Sequence, residues 1–259
     1  MDAAALAVPV APGPDHWFEP VADHLGAAYL RYSFTKGTAN EVAFLVDVLG
    51  LTPSCRVLDV GCGPGRHAWA LAEQGISVHG VDISQRFVDL ARGGAPAGAT
   101  FERLDARHLR FEAEFDAVIS LCQGAFGLAG GPSAPDLDPG ADPDGGILAG
   151  MARAVRPGGL VCVSAFSAYF QVRYLEETDR FDADAGVNHE RIEVKDEAGH
   201  DAGHDLWTSC FTPRELRLLA TAAGLVPEHV WSVTPGDYAR RPPDLEHPEH
   251  LLLARRPSS

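Results

Sequence analysis

VLDVGCGPGRH, residues 57–67, sets a run of β-type residues directly against glycines at every second position, Gly61, Gly63 and Gly65, with Asp59 inside the run. The run reads as a buried parallel strand. A glycine-rich turn between a strand and a helix is a setting in which backbone N–H groups approach a nucleotide-like ligand, and glycine is the residue that lets them come close. The spacing narrows the choice of ligand. A dinucleotide fold requires G-x-G-x-x-G, whereas here Arg66 stands where the third glycine would fall. No Gly-Lys-Ser/Thr follows, which excludes a P-loop.

Outward from this stretch, strand and helix signals alternate. Residues 56–62, 77–83, 100–106, 115–121 and 160–166 read as strands. Between them come a helix closed by Gly75, a helix capped by Ser84, and one over 145–155 that stops before Pro157-Gly158-Gly159. Near the C-terminus, Thr212 and Glu215 form a capping box that opens another helix. Residues 225–233 and 249–257 read as an antiparallel edge pair. Such alternation makes a parallel sheet with helices on both faces, binding ligands at the C-terminal edge of its strands.

Four segments stand outside the alternation. Residues 1–15, rich in Ala and Pro and lacking a basic leader, read as a disordered tail rather than a signal peptide. Residues 16–51 carry two or three helices. The Gly/Pro/Asp stretch 128–145 is either a lid or a tolerated insertion. Residues 167–208 hold two alternating polar/apolar runs about Asp196-Glu197-Ala198-Gly199, a hairpin or small antiparallel cap above the ligand edge. That leaves 52–166 and 209–259 for the ligand-binding domain proper.

Composition limits the partners. A formal charge of −15 argues against a nucleic-acid backbone. No stretch approaches the roughly 18 uninterrupted apolar residues of a membrane span. The five cysteines show no CxxC or Cys/His ligand spacing, so reduced thiols, a cytoplasmic setting and no metal are expected. His200-Asp201-Ala202-Gly203-His204 reads as a polar turn rather than a metal site. A homodimer is compatible with this reading.

Three aspartates shape the ligand further. Asp82 ends the second strand about twenty residues past the loop, where a carboxylate accepts both hydroxyls of a ribose. Asp105 ends the third strand, either to accept from an exocyclic adenine amine or to begin the turn that follows. Asp59, beneath the loop, is placed to accept loop N–H groups and to pair with a ligand ammonium.

With these motifs in order, VLDVGCGPGRHAWAL, GVDIS, LDA, FDAVISL and RAVRPGGLVCVSAF, residues 55–166 resemble the class I S-adenosylmethionine-dependent methyltransferases, especially the small-molecule branch of ubiquinone/menaquinone type. The resemblance implies a Rossmann-like, seven-stranded, mostly parallel sheet with helices on both faces, N-terminal helices and a cap inserted after strand five. It also implies S-adenosylmethionine as cofactor. Gly61, Gly63 and Gly65 would pass around its methionine moiety, Asp82 take the ribose, Ile83 pack on the adenine, and Asp105 with Ala106 meet the adenine edge. Leu121 and Cys122 would border the sulfonium, and Arg31 or Tyr32 close over the carboxylate.

A sulfonium methyl is already activated, so position and desolvation are the enzyme's tasks. His189 and Glu190, in the cap, are the first choice for a base, against the alternative that both are exposed polar residues of an edge strand. Gln123 is placed to orient a substrate group. Phe126, Phe166, Tyr169, Phe170 and Trp207 are candidates to wall an apolar substrate pocket, although several must be core. His67 either faces substrate or simply begins its helix. The expected activity is methyl transfer to an O, N or C nucleophile of a small, largely apolar metabolite. The alternatives are a methyltransferase-fold protein that binds S-adenosylmethionine for a non-methylating reaction, and a methyltransferase acting on RNA or protein.

Overall fold

The computed structural model describes residues 16–133 and 142–258. The tail 1–15 and the middle of the 128–145 stretch lie outside the described residues. In chain order come α1 (Phe18–Leu25), two 3-10 turns (Gly26–Arg31 and Ser33–Thr35), α2 (Thr38–Leu49), β1 (Arg56–Val60), α3 (Arg66–Ala72), β2 (Ser77–Asp82), α4 (Gln85–Gly93), β3 (Ala99–Arg103) and β4 (Phe115–Ser120). Next are α5 (Pro143–Ala154), β5 (Val155–Ser167), α6 (Ala168–Arg173), β6 (Arg180–Asp182), β7 (Val187–Lys195) and β8 (Asp201–Phe211). The chain closes with α7 (Pro213–Ala222), β9 (Val226–Thr234), β10 (Asp237–Arg241) and β11 (Glu249–Arg255).

The sheet runs β3-β2-β1-β4-β5-β11-β9-β10. Strands β1 to β5 are parallel, and β11 pairs antiparallel with both β5 and β9. Seven strands, from β3 to β9, match the expected α/β sheet, and β10 adds an outer edge. The antiparallel pair read from 225–233 and 249–257 is β9 with β11, but β10 takes the outer edge and β11 lies inside, between β9 and β5. Its Leu251-Leu252-Leu253 run is the signature of a strand covered on both faces.

Alternation along the strands divides the core in two. Leu58, Val118, Val163 and Leu252 pack toward α5 and α7, while Val57, Ile119, Cys162 and Leu253 pack toward α2, α3 and α4. Ser84 caps α4 by accepting from Phe87 N, and Thr212 with Glu215 makes the capping box of α7. Pro157-Gly158-Gly159 behaves differently from the expected break. Strand β5 begins at Val155 directly after α5, and the three residues bulge out of its pairing with β4, Gly158 taking φ +81°. In the cap, β7 and β8 turn about Asp196–Gly199 as read, and β6 adds a third strand. The last residues of β8 pair parallel with β5, so the cap grows out of the sheet within that one strand.

One buried carboxylate fastens the N-terminal helices to this frame. Glu41 of α2 has no solvent exposure. Its Oε2 meets Arg66 Nη1 and lies 2.7 Å from His67 Nε2, and its Oε1 accepts from Gly236 N at 2.8 Å. Arg66 Nη1 also donates to Thr38 Oγ1 at 2.8 Å. Backbones touch nearby: a Cβ on Gly37 would stand 1.9 Å from Gly236 Cα. Burial alone would raise the Glu41 pKa, but His67 and Arg66 outweigh it and hold the carboxyl at about 2. Replacing Glu41 by Leu leaves Arg66 buried without its counter-charge and is expected to cost about 3–5 kcal/mol in urea unfolding. The sign with pH follows from the depressed value. The pairing contributes fully above the unfolded carboxyl pKa and is lost as pH falls toward 2, so Glu41→Gln should flatten the acid limb of a stability–pH curve.

Candidate functional site

The glycine loop has the conformation its residues allow. Gly61, Gly63 and Gly65 take φ of +73°, +54° and +94°. A Cβ on Gly61 would lie 2.0 Å from the Gly124 carbonyl carbon, so the loops after β1 and β4 are in backbone contact. Around Gly63 there is room, its nearest neighbours being Tyr29 and Phe87 at 3.9 Å and 4.0 Å from such a Cβ. Gly61 N and Cys62 N donate to Val81 O, and Gly63 N donates to Asp82 Oδ2 at 2.8 Å. The second Asp82 oxygen accepts from Ser84 N at 2.8 Å. The loop N–H groups that the sequence reading gave to Asp59 are therefore taken by Val81 and Asp82, whose strand β2 ends alongside the loop. Asp59 stays buried with its Oδ2 unpartnered among the described residues. Burial pushes its pKa up to about 7, against the pull of Arg66. Burial likewise raises Asp82 to about 6, offset in part by Ser84 and Gly63.

Two cavities open from this loop. A slot of about 400 Å³ is lined by Ile83, Leu104, Asp105, Ala106 and Ile147 among others. A cleft of about 1160 Å³, open to solvent at its mouth, lies toward α1 and the cap. Phe18, Gly61, Asp82, Gly124 and Leu128 line both, so the spaces are continuous past the loop. Ile83, Leu104, Ala106 and Ile147 give the slot apolar walls of a kind that suits a purine, and Asp82 at the junction suits a ribose. Asp105 walls the slot, but its carboxylate begins the following turn, accepting from Arg107 N, and forms a forked pair with the Arg107 guanidinium. The orphaned Asp59 oxygen beneath the loop fits a cationic group there. Together these residues fit an adenosyl ligand with a charged amino-acid end.

The cleft is walled by Trp17, Val21, Leu25 and Tyr29 on one side and by the cap on the other. Strand alternation decides which cap residues face it. Glu190, Ile192 and Val194 of β7 do, with Leu206 and Thr208 of β8. His189 and Trp207 occupy the opposite face, stacked at 4.7 Å and 6°, with His189 Nε2 3.0 Å from Asp205 Oδ1. His189 and Glu190 are neighbours in one strand, so they cannot share a site, and only Glu190 enters the cleft. Cys122 and Gln123, directly after β4, also line it. Both have positive φ, +51° and +50°, a conformation that costs non-glycine residues energy and aims them into the opening.

Other expected residues lie elsewhere. Arg31 Nη2 donates to Asp196 O and Glu197 O, clamping the cap hairpin instead of facing the cleft. Tyr32 does line the cleft, and its hydroxyl accepts from Lys195 N. Leu121 belongs to the core, as does Phe126, stacked on Phe211 at 4.9 Å. His67 is buried against Glu41. Tyr169, 44% exposed, and Phe170 lie on α6 and pack against His250 and Tyr174. Of the six expected pocket residues, only Phe166 lines the cleft. The sequence reading missed Tyr29, the α1 residues and Glu249, the last a residue that opens an antiparallel strand and so lands on the ligand edge opposite Phe166.

Glu41, His67 and Cys122 offer ligand atoms within 4.8 Å of one another. The Arg66 guanidinium donates to Glu41 and, at 2.8 Å, to Cys122 Sγ, so a positive charge already stands among them.

Comparison with known proteins agrees with this geometry. Residues 57–129 match the family described as Methyltransferase domain. The chain is 28% identical over 127 residues to methyltransferase GfsG of Streptomyces halstedii, covering 46% of this chain and 41% of that protein. It is 34% identical over 123 residues to the demethylmenaquinone methyltransferase of Beutenbergia cavernae, covering 47% and 45%. The chain thus matches less than half the length of these relatives. The solved CcbJ methyltransferase of Streptomyces caelestis superposes with a TM-score of 0.73 at 22% identity, over 94% of this chain and 99% of that one, a likeness of fold.

Two substitutions test the junction. Asp82→Ala should weaken S-adenosylhomocysteine at least about tenfold in calorimetry, through the loss of a charge-assisted, two-pronged contact. Gly63→Val finds space in the fold at a strain of about 1–2 kcal/mol, so circular dichroism should stay native while calorimetry shows no binding.

Proposed function

We propose that the chain carries a class I S-adenosylmethionine-dependent methyltransferase domain and transfers the methyl group to a small, largely apolar molecule held in the cleft. The observation that carries this reading is the continuity of slot and cleft through Gly61, Asp82 and Gly124. Ile83 and Ala106 would receive the adenine, Asp82 the ribose, and Gly61 and Gly63 the methionine portion over Asp59. When bound, the donor supplies an electrophilic methyl on a sulfonium.

The chain's own residues supply place and dryness. Trp17, Val21, Leu25 and Tyr29 face Ile192, Val194 and Leu206 across the cleft, and this apolar lining orients an apolar acceptor and keeps water from the reacting atoms. Such positioning brings a nucleophile to within about 3–3.5 Å of its target. Glu190 adds a carboxyl to the cap wall, its pKa raised by burial and by Asp179 and Glu176. No Lys, Arg or His lines the cleft among the described residues, which disfavours a phosphate-backbone substrate.

The test uses the full chain. S-adenosylhomocysteine should bind in calorimetry, and methyl-tritiated donor incubated with cell extract should label solvent-extractable small molecules. Label in acid-precipitated protein or RNA would favour a macromolecular acceptor. Tight binding with no transfer would favour a non-methylating reaction, and no binding would sink the assignment.

A further inference from the structure

At the sheet wall of the cleft stands a carboxyl that nothing above has used. Glu249 opens β11, pairing with Phe166 of β5 on one side and Val233 of β9 on the other. Because β11 runs against the parallel strands, its first residue lies at the edge where they end, beside Gln123. Glu249 lines the cleft yet is 1% exposed, and its Oε2 has no partner among the described residues. Gln123, lining the same wall, is also buried, its amide beside the Glu249 carboxyl. A buried acceptor left open to a cavity costs stability unless a ligand completes it.

The charge around this wall specifies the ligand. Asp82, Glu190 and Glu249 line the cleft from the end of β2, the cap and β11, and no basic side chain lines it with them among the described residues. Cys122 after β4 lines the cleft too, and beyond it Ser164 of β5, Tyr238 of β10, Glu41 of α2 and Arg66 of α3 flank the group. Burial keeps the Cys122 thiol and Tyr238 hydroxyl neutral, raising both well above their ordinary values. The Arg66 charge is committed to Glu41. Burial pushes Glu249 itself up to about 7, opposed by Gln123 and Ser164, so it can take up a proton near neutrality.

We propose that the methyl acceptor is an amine whose nitrogen lodges against Glu249, with Glu249 as the base that receives its proton. This rests on the methyl-transfer reading of the cleft. The nitrogen lone pair forms the new N–C bond as the S–C bond breaks and sulfur keeps that bond's electron pair. The N–H proton of the resulting ammonium passes to the Glu249 carboxylate and from there to water. An amine that enters protonated gives up its first proton by the same route.

Calorimetry on protein saturated with S-adenosylhomocysteine separates this inference from its foundation. The probes are C6–C10 alkylamines and 2-phenylethylamine, each beside its isosteric alcohol. Amines should bind at least about tenfold more tightly than the matching alcohols. Glu249→Gln should remove that preference while leaving alcohol and S-adenosylhomocysteine affinities unchanged. Gln123→Leu, which leaves the carboxyl in place, should weaken amines less than Glu249→Gln does. If S-adenosylhomocysteine fails to bind the wild-type protein, the methyl-transfer reading itself fails. If it binds but amines and alcohols bind equally, or neither binds, the amine assignment alone is overturned. It is overturned too if Glu249→Gln weakens S-adenosylmethionine relative to S-adenosylhomocysteine without affecting amines, since Glu249 would then serve the sulfonium.

Discussion

The buried Glu41–Arg66 pair is the constraint from which the site's geometry follows. A sheet of this kind places its glycine loop without help, but the far walls of the cleft must come from outside the sheet. Here α1 and the 3-10 turns after it supply one wall, and α2, which follows them, is joined to the loop's own helix through Glu41, Arg66 and His67. The same carboxylate accepts from Gly236 in the turn between β9 and β10, and Arg66 reaches on to Cys122 after β4. One charge pair thus ties four segments around the ligand edge. Desolvating such a pair is expensive, and its net worth to folding can be small. Its evident return is registry, because each partner left alone would be a buried charge.

The position of Arg66 also explains why the loop departs from the dinucleotide pattern. In that pattern a third glycine brings helix and strand together. Here the place holds the longest cationic side chain, which turns away from the ligand and into the N-terminal helices. The exclusion of a dinucleotide drawn from the sequence was therefore sound. What the sequence did not reveal was Arg66's partner, since Glu41 is 25 residues away in a helix read only for its apolar spacing.

The same division between local and long-range information runs through the molecule. Strands, caps and the hairpin about Asp196–Gly199 were legible because each depends on alternation, Ser/Thr caps or glycine within a few residues. The turn at the glycine loop and the strand-end place of Asp82 were legible because one strand-turn-helix unit and its neighbour set them. The cleft was not, because it is assembled from α1, the cap and three strand ends that approach only in the fold. His189 and Glu190 could have been separated earlier, for period-two alternation already places adjacent strand residues on opposite faces. Glu249 needed the sheet order, since its face and edge follow from β11 lying inside the sheet, whereas the sequence suggested an edge strand.

The carboxyls of the site share one electrostatic condition. Burial raises Asp59 to about 7, Asp82 to about 6 and Glu249 to about 7. An acid whose pKa is raised on folding favours the fold below its unfolded pKa and loses that contribution as pH rises through the folded value. Near neutral pH the ligand-free protein therefore bears the cost of partly ionised, buried carboxyls. A positively charged ligand reverses that cost by stabilising the ionised forms. The site is thus preorganised for positive charge at two separated points, under the glycine loop and at the sheet wall. A donor with an ammonium group and the proposed basic acceptor would meet that requirement together, and a neutral acceptor would leave half of it unmet.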